Sequence, residues 1–340
     1  LIVSVIIIVT MGTVLAPLLT GIVLAYVMQG AIKTMERFQM PKGLAVSITF
    51  VIFMGFFLSL LFFVIPRVWR QLQSLFQNIP SMVERTRDLL GELPLNYPEL
   101  VSEQQVTSWI ELLNSESAEL GQWLLSFSLS QLPLLVAVAV YIMLVPLLVF
   151  FILKDQRQIL AWCSSYLPSE KPLLDRIGRE MDEQMANYIR GKVIEIIIVG
   201  GASFVFFQLM GLEYAALLGF LVGLSVIVPY VGFVAVTFPV LIIAYLQFGW
   251  GSEFITILIG YSIIQAIDGF FIVPLLFSEA VNLHPIAIIT AVLVFGAWWG
   301  VWGVFFAIPL ATLIKAIMSA WPQTGHPIQG NTAVPALEKV

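Results

Sequence analysis

The sequence predicts an all-α polytopic membrane protein of about eight membrane segments, including two re-entrant hairpins of broken helices in an inverted repeat, with an amphipathic helical insertion outside the bilayer. Three observations carry that prediction. Hydrophobic residues make up 59% of the chain and charged residues 11%, against roughly a quarter charged in soluble domains. Uncharged runs long enough to cross a bilayer recur from one end to the other, separated by short charged stretches. The two longest runs of the C-terminal half are each broken at the centre by glycine and proline.

Composition also excludes several function classes. A net charge of −5, with the basic residues clustered between apolar runs and not along one stripe, speaks against a nucleic-acid partner. Cys163 is the single cysteine, so the chain predicts neither an intrachain disulfide nor a cysteine metal cluster. There is no nucleotide loop of the GxxxxGK[ST] type and no HExxH, and Ser203 in Gly200-Gly201-Ala202-Ser203 lacks the Gly-x-Ser-x-Gly setting. Two histidines, His284 and His326, are too few for a metal site. An aspartyl intramembrane protease needs two acids in one site, and Glu195 lies near an interface, away from the other membrane acid. The chain is expected to be no enzyme and to use no cofactor.

In chain order, residues 1–66 are expected to be N-terminal membrane helices. The uncharged stretch 1–28, with Gly12 and Pro17 near its middle, is too long for one straight span, so it is one kinked helix or two short ones. It is too long for a signal peptide. Lys33, Glu36, Arg37 and Lys42 mark a short basic loop over 30–43, which the positive-inside rule places in the cytoplasm. Leu44 to Ile65 then crosses outward, ended by Pro66. Residues 67–130 turn amphipathic: Val68, Leu72, Leu75, Phe76, Ile79, Met82 and Val83 fall at helical spacing, and four basic residues face eight acidic ones. This external subdomain is expected to pack on itself or on a neighbouring subunit. Ser102 with Gln105 reads as a capping box opening a second helix there.

Residues 131–153 return across the membrane, with Pro146 as an internal kink. Residues 154–192 carry seven basic and six acidic side chains. They read as a cytoplasmic interfacial helix, with Ser169 as its cap and Met181, Met185 and Tyr188 on its apolar face. Arg190 and Glu195 follow as secondary charges at the mouth of the next span, and Glu195 is expected to pair with Lys192 three residues before it.

Residues 193–318 form the predicted transport core, ahead of a polar tail at 319–340. Asp268 is the only charged residue from Phe254 to Phe277. At about 1.5 Å per residue that run outreaches the roughly 30 Å hydrocarbon layer, so Asp268 lies at membrane depth. An acid there faces a partner or a wet path, and Gln265 sits one turn earlier on the same face. Gly269 and Pro274 loosen the helix after it. Tyr214 to Phe248 breaks at Pro229-Tyr230-Val231-Gly232, and the run after His284-Pro285 breaks between Gly296 and Gly303 around Gly300. Two full spans need about 40 residues, so each run reads as two half-helices of about 15 that meet at the break. Span, hairpin, span, hairpin is the order of an inverted repeat whose site lies between discontinuous helices. The transport site is therefore assigned to Asp268, Gln265, Pro229, Tyr230, Gly232, Pro274, His284, Pro285, Gly296 and Gly300. A channel or a membrane scaffold is the alternative of a different class.

Pro229-Tyr230-Val231-Gly232, the segment from Gln265 to Pro274, Leu283-His284-Pro285, and the run from Gly296 to Gly303 followed by Pro309 resemble, in this order and spacing, the autoinducer-2 exporter (AI-2E) family of PerM-like bacterial permeases. The likeness extends over essentially the whole chain, including the insertion after the second apolar segment. It implies a multi-pass bacterial inner-membrane transporter that moves a small signalling molecule or exchanges sodium for protons. It also implies a homo-oligomer, in the form of a pentamer. The expected partners are the lipid bilayer, a small-molecule or ion substrate, and further copies of the chain.

Overall fold

The computed structural model describes residues 12–96, 102, 104–111, 131–166, 172–229, 231–277 and 283–320. Among them every regular element is helical. In order these are α1 (Gly12–Arg37), α2 (Lys42–Ser59), a π-helical turn at Leu60–Val64, α3 (Ile65–Asn96), α4 (Gln131–Ser165), α5 (Pro172–Leu209), α6 (Ala215–Ser225), α7 (Val231–Phe248) and α8 (Ser252–Ile267). A second π turn at Asp268–Ile272, then α9 (Val273–Phe277), α10 (Pro285–Trp299) and α11 (Val301–Ala320), follow, and residues 104–111 form a further short helix. Six helical stretches are long and apolar enough to cross a membrane, and three shorter apolar helices accompany them. Among the described residues this agrees with the predicted all-α polytopic class.

Several boundaries differ from the sequence reading. The basic stretch at 30–43 is not a loop: α1 continues to Arg37 and leaves only a tight turn before Lys42. Pro66 does not end the second span. The backbone N–H of Ile65 bonds to the carbonyl of Leu60, a π step, and the helix runs on through Pro66 into α3. A proline in a regular helix collides with the carbonyl four residues back, and the wider π turn moves that carbonyl aside. The same device recurs at Pro274, where Val273 N–H bonds to Asp268 O. No separate interfacial helix occupies 154–192 either. α4 carries on to Ser165, and α5 is continuous from Pro172 through the charged stretch into the apolar one. The cap proposed at Ser169, residues 1–11 and most of the tail at 319–340 lie outside the described residues.

Part of the amphipathic stripe packs on the helices of the predicted transport core. Val68 is buried in a cluster with Leu212, Tyr214 and Leu218, and Leu72, Leu75 and Met82 lie against it. Asn78 Nδ2 donates to Tyr214 OH at 2.8 Å, and the Leu217 N–H donates to Gln71 Oε1 at 2.8 Å. Further on, the capping box forms as read: Ser102 N–H donates to Gln105 Oε1 at 3.1 Å, and Gln105 N–H to Ser102 Oγ at 3.4 Å.

Two layers organise the rest. α1, α2 and α4 share a core of Met28, Val46, Val145 and Val149. α5 to α11 form the other layer, joined to α1 through Val23 against Ile189 and Phe305. Both broken runs are hairpins, with arms unlike the two of about 15 that were expected: α6 and α7 have 11 and 18 residues, α10 and α11 have 15 and 20. The base of the first hairpin is tied shut, since Glu213 N–H donates to Gln247 Oε1 (2.8 Å) and Gln247 Nε2 donates to Gly211 O (2.9 Å). Its two ends therefore lie side by side.

Candidate functional site

α5 and α8 run antiparallel, and contacts at their two ends set the register. Near one end a Cβ on Gly260 would land on the Phe206 ring, and Phe207 lies 5.9 Å from Tyr261 between ring centroids. At the other end a Cβ on Gly191 would meet Phe277 Cε1 at 2.9 Å. Counting inward along both helices, Gln265 comes level with Ser203 and Asp268 with Gly200. These residues therefore fall along the seam between the two helices.

The seam holds the buried charge of the membrane region. Lys192 Nζ donates to Glu195 Oε2 at 2.7 Å, with side chains only 6% and 2% exposed. The expected pair is present, and it is buried within the protein. Its spacing of three residues places both on one helix face, and Ser203 recurs on that face two turns on. Asp268 is also buried and lies close enough to interact electrostatically with both Lys192 and Glu195. Lys192 further sits over the Phe277 ring, 5.1 Å from its centroid. An ammonium over an aromatic face is attracted by the ring quadrupole.

Buried polar atoms in folded proteins nearly always find a hydrogen-bond partner, so those without one mark something specific. Among the described residues Ser203 Oγ, Gln265 Nε2 and Asp268 Oδ1 have none, and all three lie on this seam. The other two such atoms belong to Gln184 and Trp299. Tyr261 continues the line one turn before Gln265, its hydroxyl 3.1 Å from Thr237 Oγ1 on α7. From Lys192 to Tyr261 the α5–α8 seam is thus a polar track inside an apolar layer. Phe277 packs at one end of it, over Lys192, and the cluster of Phe207, Leu218 and Ile257 lies at the other.

The hairpins converge beside the track. Val228, in the turn after α6, packs on Ala291, Val292 and Ala307 of the second hairpin. One device sharpens both tips. A Cβ on Gly232, in the first turn of α7, would land on the carbonyl oxygen of Ser225, and one on Gly303, in the first turn of α11, on that of Phe295. Only glycine lets the two arms approach so closely. Gly296 lies in the same tip, where an added Cβ would meet Val304 Cγ2 at 2.9 Å, and Gly300 is the turn residue itself, with φ of 57°.

Of the predicted site residues, Asp268 and Glu195 come within electrostatic reach of each other, and Gln265 lies one turn before Asp268. Pro229, Gly232, Gly296 and Gly300 form the hairpin tips, and Tyr230 lies outside the described residues. Pro274 is exposed and follows the π turn. His284 and Pro285 are not at the track: His284 is an exposed N-cap whose Nδ1 accepts from Ile286 N–H at 3.3 Å, with Pro285 opening α10. Arg190 turns away as well, bonding Ala186 O and Asn187 Oδ1 at 2.9 Å each and lying against Gly30 of α1. Lys192 and Ser203 were not singled out as site residues from sequence. The i, i+3 spacing signals the first, whereas a lone serine in an apolar helix carries no signal of its own.

The model of the AI-2E family transporter matches residues 1–323. The chain belongs to the AI-2E transporter family. The Escherichia coli (strain K12) protein PerM, which bears the name of a permease, is 45% identical over 308 residues, covering 91% of this chain and 87% of PerM. YueF of Bacillus subtilis (strain 168), named as a transport protein, is 25% identical over 91% of this chain and 84% of its own length. Together with the apolar helices, these matches make the chain a multi-pass membrane transporter.

Proposed function

We propose that this AI-2E member is a secondary transporter of the bacterial inner membrane that moves a small polar solute by alternating access, coupled to an ion or a proton at Asp268. The observation that carries this reading is the clustering of partnerless polar atoms, Ser203 Oγ, Gln265 Nε2 and Asp268 Oδ1, next to the buried Lys192–Glu195 pair. A carboxylate at membrane depth is costly, and such residues typically belong to a substrate, ion or proton path. The two hairpins, read as re-entrant, bring helix ends to the same depth, N-termini for anionic groups and carbonyl ends for cations. Sodium–proton exchange is the more specific version of the same reading, with Asp268 as the exchanging group.

The test is flux in liposomes containing the purified protein, screened for sodium, protons and small polar metabolites under imposed gradients. Asp268→Asn keeps the shape and removes the titration. It should leave folding intact and abolish the pH dependence of flux. An unchanged pH profile in that variant overturns the role of Asp268, and downhill flux without ion coupling makes the protein a channel.

A further inference from the structure

A cavity lies where α1, α2, α4 and α5 meet, on the side that charge patterning assigns to the cytoplasm. The cavity has a volume of about 320 Å³. Its floor is apolar, made by Ile32, Val46 and Leu153, all buried in the α1–α2–α4 core. Its rim carries Lys33 from the last turns of α1, Lys42 from the first turn of α2 and Arg157 from α4. None of these three cations makes an ion pair or hydrogen bond with a described residue. Two acids also line the cavity, and one of them, Asp182, already accepts a hydrogen bond from Tyr26 OH at 2.7 Å. The lining therefore carries three cations without a hydrogen-bonded partner and two carboxylates, Glu36 and Asp182, an excess of one positive charge. The N-terminus of α2 adds its partial positive charge beside Lys42.

Aromatic side chains locate this rim with respect to the bilayer. Phe38, Trp162 and Tyr166 are 81%, 63% and 74% exposed; Trp162 ends the candidate span of α4, and Phe38 and Tyr166 lie within a turn or so beyond the spans of α1 and α4. Tryptophan and tyrosine collect at the headgroup level of membranes, where an apolar body and a polar tip are both served. A basic rim over an apolar floor at that level matches an anionic lipid from end to end, phosphate on the cations and acyl chain on the floor. Basic pockets between membrane helices on the cytoplasmic side are a recurrent form of headgroup recognition.

We propose that the Lys33–Lys42–Arg157 cavity binds the phosphate of an anionic phospholipid of the cytoplasmic leaflet. The lipid would wedge between α2 and α4 and fix the orientation of the α1–α2–α4 layer while α5–α11 move. The experiment uses the full chain purified in a neutral detergent and measures binding of short-chain phosphatidylglycerol, short-chain phosphatidylcholine and inorganic phosphate. Phosphatidylglycerol should bind and phosphatidylcholine should not. The triple variant Lys33→Gln, Lys42→Gln, Arg157→Gln should weaken binding roughly a hundredfold, the product of three losses of about fivefold. Lys33→Arg with Lys42→Arg keeps the charge and should retain it, which separates lost recognition from lost folding. Equal binding of the two lipids, or binding untouched by the triple variant, overturns the proposal. Inorganic phosphate that binds as tightly as phosphatidylglycerol also overturns it, by giving the site to a soluble anion.

Discussion

Lys192→Met and Glu195→Gln disturb the same 2.7 Å ion pair, yet the structure predicts unequal losses. Lys192→Met removes the only cation of the seam and leaves Glu195, 2% exposed, buried beside a second acid, Asp268. Breaking a buried pair from one side costs about 3–5 kcal/mol, because the abandoned charge cannot be solvated. Glu195→Gln instead leaves an amide oxygen in place to accept from Nζ, and Lys192 still has Asp268 within electrostatic reach. That loss should be about 1–2 kcal/mol, the size of weakening a charged hydrogen bond. For a chain this long about 2 °C of melting temperature accompanies each kcal/mol, so the expected shifts are roughly 6–10 °C for Lys192→Met and roughly 2–4 °C for Glu195→Gln. The assay is intrinsic fluorescence of the nine tryptophans during heating in detergent, at one scan rate, since such unfolding is often irreversible. Combining Glu195→Gln with Asp268→Asn strands Lys192 without any anion, and the loss should exceed the sum of the two single losses. If Glu195→Gln costs as much as Lys192→Met, or if the double variant is additive, the three charges are not one unit and the track loses its central feature.

Gly232→Ala and Gly303→Ala should each destabilise by about 1–3 kcal/mol, because the new methyl overlaps a backbone carbonyl that cannot step aside. Gly269→Ala, where nothing lies within 4 Å, is the matched control, and a melting curve that ranks it with the other two refutes the tip geometry. Phe277→Ala should open the track at the Lys192 end. The expected outcome is faster uncoupled leak in liposomes, with cysteine reagents reaching Lys192→Cys only when Phe277 is absent; equal labelling with and without the ring removes its role as a plug.

The parts of this fold that sequence revealed are those written in composition or in short-range spacing. Asp268 and Gln265 stand out because a charge and an amide interrupt an apolar run, and Glu195 pairs with Lys192 because i and i+3 share a helix face. Proline and glycine marked the hairpin turns for the same local reason. Pro66 misled because a proline reads as a helix end, whereas a π turn before it removes the clash, and side-chain periodicity gives no sign of one extra residue in a turn. The stripe from Val68 to Met82 announced a covered face without saying what covers it. Ser203 was the least legible. It becomes a neighbour of Gln265 only through the register of α5 against α8, a relation between residues some sixty positions apart that no local pattern encodes.

One physical constraint joins these features. The rod of α2, the π turn and α3 is rooted at one end in the α1–α2–α4 core through Ala45 and Val46. At its other end it is bonded to the α6 hairpin, through Gln71 to the Leu217 N–H and Asn78 to Tyr214. Any movement of α5–α11 against the first layer must therefore bend this rod, slide it, or break those bonds. Two buried or half-buried hydrogen bonds and the packing of Val68, Leu72 and Leu75 resist breakage together. The regular helical turns resist bending, since each carries a full set of i to i−4 bonds. Leu60–Val64 is the place where that ladder is already interrupted, and Pro66 just beyond it cannot donate to restore it. The rod should bend there first. Asp268–Ile272 is built the same way ahead of Pro274, so the second interruption falls on the residue that the transport reading makes chemically responsive, in the turn just before the helix that carries Phe277 over Lys192.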